Sequence, residues 1–357
     1  MATLTVNASY GFDMRDIDFG WLPYADSYSY GSTIFAAHFS DGVVEEFRGS
    51  GFTYDSYGVP TGGTVRSYAL YDNGTRVAYT DGIRIAVTSI VYAAETYTIT
   101  DDVAVIKRAL AGDDVLKGGG IYDYLRGFAG NDTLYGNGGN DALLGEDGND
   151  ILVGGTGADK LYGGNGTDSA SYSGAGSAVT ANLANSSANT NDARGDVYTD
   201  IENLIGSGYS DRLYGNTGAN SLVGGRGNDV ISGNSGSDLI YGGIGADRTY
   251  GGSGADRFVF KAPGESAGSS FDSIFDYAPS SGDRIDLSAI DASTKLSGNQ
   301  AFFFVGTAAF KGVAGELRYD KEGSDTFIYA DVNGDKKADL TIHLDDAVTL
   351  TKDYFLL

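Results

Sequence analysis

The spacing of hydrophobic side chains changes abruptly about a third of the way along this chain. Over residues 1 to about 105, the segments TLTV, TIFAAHF, TVRSYALY, RIAVTSIVYAA and TYTIT alternate or cluster β-branched and aromatic residues. That is the pattern of strands with one buried face. Asp41-Gly42, Asp72-Asn73-Gly74 and Asp81-Gly82 punctuate them as turn signals. One short helix is predicted at 101–110, DDVAVIKRAL, with two acids at its start, Lys107 and Arg108 near its end and Gly112 just beyond. Together these features predict a small N-terminal β domain over 1–105.

From 106 to 168 the period becomes nine. Leu116, Leu125, Leu134, Leu143, Leu152 and Leu161 each follow by two positions an aspartate: Asp114, Asp123, Asp132, Asp141, Asp150 and Asp159. After Asp168 the apolar place is taken by Ala170 and the pattern stops. Residues 169–205 form an interruption, in which SAVTANLA reads as a strand and DIENLIG as a packed return segment. A second array over 206–260 resumes with Asp211, Asn220, Asp229, Asp238, Asp247 and Asp256, matched by Leu213, Leu222, Ile231, Ile240, Thr249 and Phe258. Residues 261–357 change again, to amphipathic strands with acidic turns, and predict a C-terminal β cap.

A nine-residue unit with three extended positions is half of an 18-residue coil that gives one short strand to each of two parallel sheets. Stacked coils lie roughly 4.8 Å apart, and the Leu or Ile of successive coils forms one narrow apolar column. A single repeat cannot bury its face alone, so the core exists only through stacking. Aspartates of one edge recur every 18 residues, which sets like charges side by side. Left unpaired they would have raised pKa values and repel one another. A hard divalent cation between coils resolves this. Ca2+ accepts carboxylates and carbonyls at about 2.3 to 2.6 Å in loose geometry, whereas Mg2+ demands tighter geometry and Zn2+ favours nitrogen or sulfur.

Composition sharpens this reading. The chain carries 24 Lys plus Arg against 48 Asp plus Glu, a formal charge of −24, and 55 of its 357 residues are glycine. Such a balance argues against a nucleic-acid backbone or an anionic membrane as partner. It points to a solvated acidic surface or to bound cations. No cysteine is present, so no disulfide or thiolate site exists. The start, MATLTVNASYGFDMRD, lacks the basic and apolar segments of a cleaved signal peptide, and no stretch is apolar enough for a transmembrane helix. Export, if it occurs, is expected to use a route that reads no N-terminal signal.

GGTGADKLY at 154–162, GGRGNDVIS at 224–232 and GGSGADRFV at 251–259 resemble the RTX family of calcium-binding nonapeptide repeats, G-G-x-G-x-D-x-U-x. Thirteen such repeats, seven and then six, cover about a third of the chain. The resemblance implies an all-β fold: a right-handed parallel β-roll between an N-terminal β domain and a C-terminal cap. It also implies that carboxylates 18 residues apart share an ion with carbonyls of their own turns. The first array offers the pairs 114/132, 123/141, 132/150, 141/159 and 150/168, and the second 211/229, 229/247 and 238/256. Eight Ca2+ ions would reduce the formal −24 to about −8. Ile121 and Tyr209 depart from the pattern at the fourth-position glycine, Asn220 at the aspartate and Thr249 at the inward hydrophobe, so the 220/238 site is expected to be weak or empty. The bland alternative is an acidic glycine-rich linker, which the strict register opposes.

The stretch from Phe271 onward resembles the segment after the repeats in serralysin-type secreted metalloproteases, where it caps the roll. The tail Asp353-Tyr354-Phe355-Leu356-Leu357 is similar to the C-terminal signal of type I secretion substrates, and equally suits a final strand. This family likeness implies a secreted or cell-surface location, the type I secretion machinery as partner, and loss of export when 353–357 are deleted. His38 and His343 are the two histidines and no H-E-x-x-H occurs, so no zinc protease site is expected.

GESAG at 264–268 fits G-x-S-x-G, with His343 and Asp325 as nominal partners of Ser266. Pro263 before it and the lack of an α/β context oppose a nucleophile elbow. His38, in TIFAAHF, is expected to be a strand histidine rather than a heme or metal ligand. DVNGDKKADLTIHL at 331–344 reads as a hairpin turn or as an additional calcium contact. Three functional readings stand: a non-catalytic calcium-binding protein of structural or adhesive role, a carbohydrate-binding module using Trp21 and Tyr57 with an extracellular polysaccharide or cell-surface component as partner, and a hydrolase.

Overall fold

The chain is described by a computed structural model over residues 1–96 and 99–357. It forms two compact units, one of Met1–Ala170 with Asp196–Ile201, the other of Ser171–Gly195 with Glu202–Leu357.

The first unit opens as an antiparallel meander of Ser27–Gly31, Ile34–His38, Val43–Tyr54, Pro60–Asp72 and Thr75–Ala86. Asn73 (φ 47) and Gly74 (φ 78) turn the last hairpin through the left-handed region that matches sheet twist. Asp81-Gly82 is not a turn. It lies within Thr75–Ala86, where the register against Pro60–Asp72 slips between Val65 and Ser67. A Cβ on Gly82 would stand 2.6 Å from the Met1 carbonyl oxygen, so the glycine lets this irregular stretch close onto the N-terminal residues.

The expected strand RIAVTSIVYAA also ends early, at Ala86. Val87–Ala94 is a helix that buries Val87, Ile90 and Ala94 at helical spacing. Its branched side chains favour strands locally, and tertiary packing of this apolar face overrides them. In TYTIT, residues 97 and 98 lie outside the described residues. Ile99 and Thr100 begin the helix Ile99–Ala109, which contains most of the predicted 101–110 segment. The N-terminal part is therefore α+β, which corrects the all-β expectation there. The molecule as a whole is β-rich and largely parallel.

Thr3–Val6 joins the two kinds of sheet. It pairs antiparallel with Thr75–Ala86 and parallel with Val115–Lys117, Leu4 opposite Leu116. Beyond it the nine-residue units stack in parallel at an offset of one coil. Leu116, Leu134, Leu152 and Ala170 are successive partners in one sheet; Leu125, Leu143, Leu161 and Tyr198 are successive partners in the other. All six leucines are fully buried, each contributing about 1.5–3 kcal/mol of transfer free energy.

The second unit repeats this plan. Leu204, Leu222, Ile240, Phe258, Ile285 and Phe355 form one column, and Ala181, Leu213, Ile231, Thr249, Ile274 and Leu344 the other. Thr249 is buried in its column and donates its hydroxyl to the Ser273 carbonyl at 3.3 Å. The second column runs into an antiparallel set, Leu340–Leu344, Asp325–Asp331 and Glu316–Glu322. No described helix is long and apolar enough to cross a membrane.

Candidate metal centres

Aspartates two residues ahead of an inward leucine fall at the corners between strands, and each of them is buried. Their Oδ1 atoms accept backbone N–H groups from the coil before. Asp114 N–H donates to Asp132 at 2.8 Å, Asp123 to Asp141 at 2.8 Å, Asp132 to Asp150 at 2.7 Å, Asp141 to Asp159 at 2.8 Å and Asp150 to Asp168 at 2.7 Å. The second unit gives Asp211 to Asp229 at 2.7 Å, Asn220 to Asp238 at 2.8 Å, Asp229 to Asp247 at 2.8 Å and Asp238 to Asp256 at 2.9 Å. All eight carboxylate pairs named from the sequence are thus stacked neighbours.

The second oxygen is another matter. Oδ2 of Asp114, Asp132, Asp141, Asp150, Asp159, Asp229, Asp238, Asp247 and Asp256 is buried without a hydrogen-bond partner. Asp123 and Asp211 instead accept the Gly119 and Ser207 N–H groups there, at 2.7 and 2.5 Å. Apart from that of Asp114, which follows Ala109, each bare Oδ2 faces a glycine five residues earlier and, in several coils, the carbonyl of the glycine stacked next to it. A Cβ on Gly145 would lie 2.1 Å from Asp150 Oδ2 and 2.7 Å from the Gly163 oxygen. On Gly224 it would lie 2.3 Å from Asp229 Oδ2 and 2.5 Å from the Gly242 oxygen. The missing side chains let a carboxylate and a carbonyl approach the same backbone.

A buried carboxylate with one unsolvated oxygen takes up a proton or a cation. Burial is the first cause that pushes the pKa of Asp132 and Asp141 to about 7 and that of Asp229 to about 8. Neighbouring carboxylates push further, against the stabilising N–H bonds. Asp123, Asp150, Asp159, Asp238 and Asp247 rise to about 6 by the same burial. The donor set is oxygen alone, which suits a hard cation.

The ladder also runs further than the nine-residue spacing shows. Asp159 N–H donates to Asp196, Asp247 to Asp272 and Asp256 to Asp283, at 2.9, 2.8 and 3.0 Å. Insertions hide these three from any periodic count. Their local signature, an aspartate two residues before Tyr198, Ile274 or Ile285, is the same. Asn220 behaves differently from its aspartate counterparts. Its Oδ1 accepts the Asn216 N–H at 2.8 Å and its Nδ2 donates to the Glu202 carbonyl at 2.6 Å, so its side chain is satisfied within the protein.

The other candidates resolve simply. Ser266 is fully buried, donates to the Thr341 carbonyl and accepts the Asp272 N–H at 2.7 Å. The Nδ1 of His343 stands by Ser273 Oγ at 3.0 Å rather than by Ser266, so the GESAG hydrolase arrangement is not assembled. His38 Nε2 lies 3.0 Å from Ser29 Oγ, as a strand histidine. In the 331–339 loop, Asp331, Asn333, Asp335 and Asp339 accept the loop's own N–H groups, the pattern of a tight turn. A cavity of about 560 Å³ in the first unit is lined by Trp21, Phe39, Tyr68, Asp16, Asp18, Asp41 and Glu45 among others. Nothing in the hydrophobic pattern signals it.

Residues 125–356 match the family described as peptidase M10 serralysin C terminal. No curated protein sequence matches. Among solved structures, the AlgE6R3 subunit of the Azotobacter vinelandii mannuronan C5-epimerase is 29% identical, with 42% of this chain and 78% of that one covered at a TM-score of 0.31. The AlgE6R2 subunit of the same epimerase is 27% identical over 42% and 88%, at 0.30. The extracellular lipase LipA of Serratia marcescens is 16% identical over 69% of this chain and 38% of its own, at 0.26. With a family match over nearly two thirds of its length and a ladder of buried aspartates on stacked parallel strands, the chain belongs to the peptidase M10 serralysin C-terminal family, as a β-roll protein of the calcium-binding-repeat kind.

Proposed function

We propose that Asp114, Asp123, Asp132, Asp141, Asp150, Asp159, Asp168, Asp211, Asp229, Asp238, Asp247 and Asp256 hold Ca2+ between the coils of a right-handed nonapeptide roll, and that binding and folding of this roll are one equilibrium. The observation that carries this reading is the row of bare, buried Oδ2 atoms beside stacked glycine carbonyls. Those residues supply carboxylate and carbonyl oxygens, the ligands Ca2+ prefers. The ion supplies charge compensation and a bridge between coils, and binding free energy becomes folding free energy. Asn220, already satisfied, contributes a weak position or none.

The role is structural or adhesive, in a secreted or cell-surface setting reached through type I secretion. A chain that stays loose where calcium is scarce and folds where it is abundant suits passage through a channel. Domain limits at 105, 168, 205 and 260 belong to the same reading. The second reading, carbohydrate binding by the N-terminal domain, is favoured by Trp21 and Tyr57, which are 64% and 91% exposed.

Equilibrium dialysis with calcium analysis tests the site assignment. The chain should bind about eight or more Ca2+, and Asp141→Asn or Asp229→Asn should each remove one or two. Undiminished stoichiometry and affinity in both variants would refute it.

A further inference from the structure

Two acidic residues meet across an antiparallel strand pair in the second unit. Asp325 begins Asp325–Asp331, and Asp345 directly follows Leu340–Leu344. Thr326 pairs with Leu344, so the register sets Asp325 across from Asp345, where like charges repel. His343 precedes Asp345 by two residues and therefore shares its face of the strand. Its ring stacks on Phe327, its cross-strand partner, at 4.8 Å between centroids. Phe271 meets it edge-on at 5.9 Å.

The imidazole is thus fixed in place, and its two nitrogens differ. Nδ1 lies 3.0 Å from Ser273 Oγ. Nε2 is buried with no hydrogen-bond partner, 3.4 Å from Asp325 Oδ2. Among the described residues, Asp325, His343 and Asp345 form the one group of three whose ligand atoms all fall within 4.8 Å of one another.

We propose that Asp325, His343 and Asp345 form a binding site for a first-row transition ion of the Zn2+ class, separate from the calcium ladder. With the Nδ1 proton donated to Ser273, Nε2 turns its lone pair toward the two carboxylates. A hydrogen bond on the far nitrogen is the usual support of a metal-bound histidine. One imidazole and two carboxylates neutralise a divalent ion and form a donor set that Zn2+ accepts. Ca2+ prefers oxygen donors and leaves imidazole aside. Three protein ligands leave a further coordination position to water. The ion replaces repulsion between Asp325 and Asp345 by a bridge tying the ends of two strands. The site uses none of the repeat aspartates, so it stands whether or not they bind calcium.

The test uses the full chain, stripped with chelator and then saturated with calcium. Co2+ is titrated by its visible absorption and Zn2+ by calorimetry. One equivalent should bind with a Kd of about 10 µM or tighter, undisturbed by further calcium. His343→Ala and Asp345→Asn should each weaken binding at least about 10-fold. His38→Ala, at the only other histidine, should leave it unchanged. Asp345 is exposed, so its variant keeps the packing around the ring and remains informative if His343→Ala misfolds. The proposal falls if no saturable Zn2+ binding occurs below about 100 µM, as a simple His–Asp ion pair would give, or if Asp345→Asn binds like the parent. It falls equally if His38→Ala abolishes binding.

Discussion

A carboxylate with one oxygen tied to a neighbouring N–H and the other bare is the unit that recurs through most of both arrays, Asp123, Asp211 and Asn220 being the departures. Its nearest glycine is as much part of it as the acid. Gly145 is the cleanest case, because it lies outside the left-handed region and alanine there carries no backbone strain. An added methyl would meet Asp150 Oδ2 and the Gly163 carbonyl, so Gly145→Ala should remove calcium from that site and lower the calcium-loaded Tm by several degrees. Gly174→Ala, where a Cβ meets nothing within 4 Å, should leave both unchanged. Calorimetry with and without calcium separates the two, and equal behaviour of the pair would contradict the cradle. At this scale the sequence was legible where spacing was regular. Asp196, Asp272 and Asp283 escaped because the chain takes longer excursions before each, although Asp-x-apolar marked them all.

At the scale of elements, the N-terminal module shows where local pattern and tertiary packing disagree. Val87–Ala94 has the side chains of a strand and the burial of a helix, and Asp81-Gly82 has the letters of a turn inside a strand. The alternating segments from Ile34 to Ala86 were readable because one face of each is buried. The module also holds acids that its pattern did not announce, Asp102 buried and Glu45 half-buried on the cavity wall. Burial raises the pKa of Glu45 to about 7, with Asp18 and Asp102 adding repulsion against the bond from Tyr68. Asp102, whose Oδ1 accepts the Phe19 N–H at 3.3 Å, rises to about 6 by burial. Both folded values exceed those of the unfolded chain, so the folded module holds more protons. Their contribution is full in acid and is lost as pH climbs from about 4 through about 7. Unfolding followed by Trp21 emission in saturating calcium should therefore show a Tm that falls between about pH 4 and about pH 7, and Glu45→Gln should flatten the fall. An identical slope in the variant would exclude Glu45 as its source.

For the whole molecule, the formal −24 and the thin apolar columns pose one problem with one solution. Each column is a single side chain wide, mostly leucine or isoleucine, and each flank is a row of buried carboxylates. Parallel stacking at one coil per 18 residues was legible from the period alone. The division near residue 170 was foreshadowed only by the loss of that period; of the two N-terminal helices, Ile99–Ala109 was announced by its acidic start and basic end, and Val87–Ala94 not at all. Coils that repel without an ion and lock with one should assemble cooperatively. The most direct measurement is far-ultraviolet circular dichroism of the full chain against free calcium in chelated buffer at neutral pH. The parallel β signal of the arrays should be absent at nanomolar calcium and appear in one steep transition on the way to millimolar. A complete β signal already present at nanomolar calcium, unchanged by further addition, would contradict the coupling of ion binding to fold.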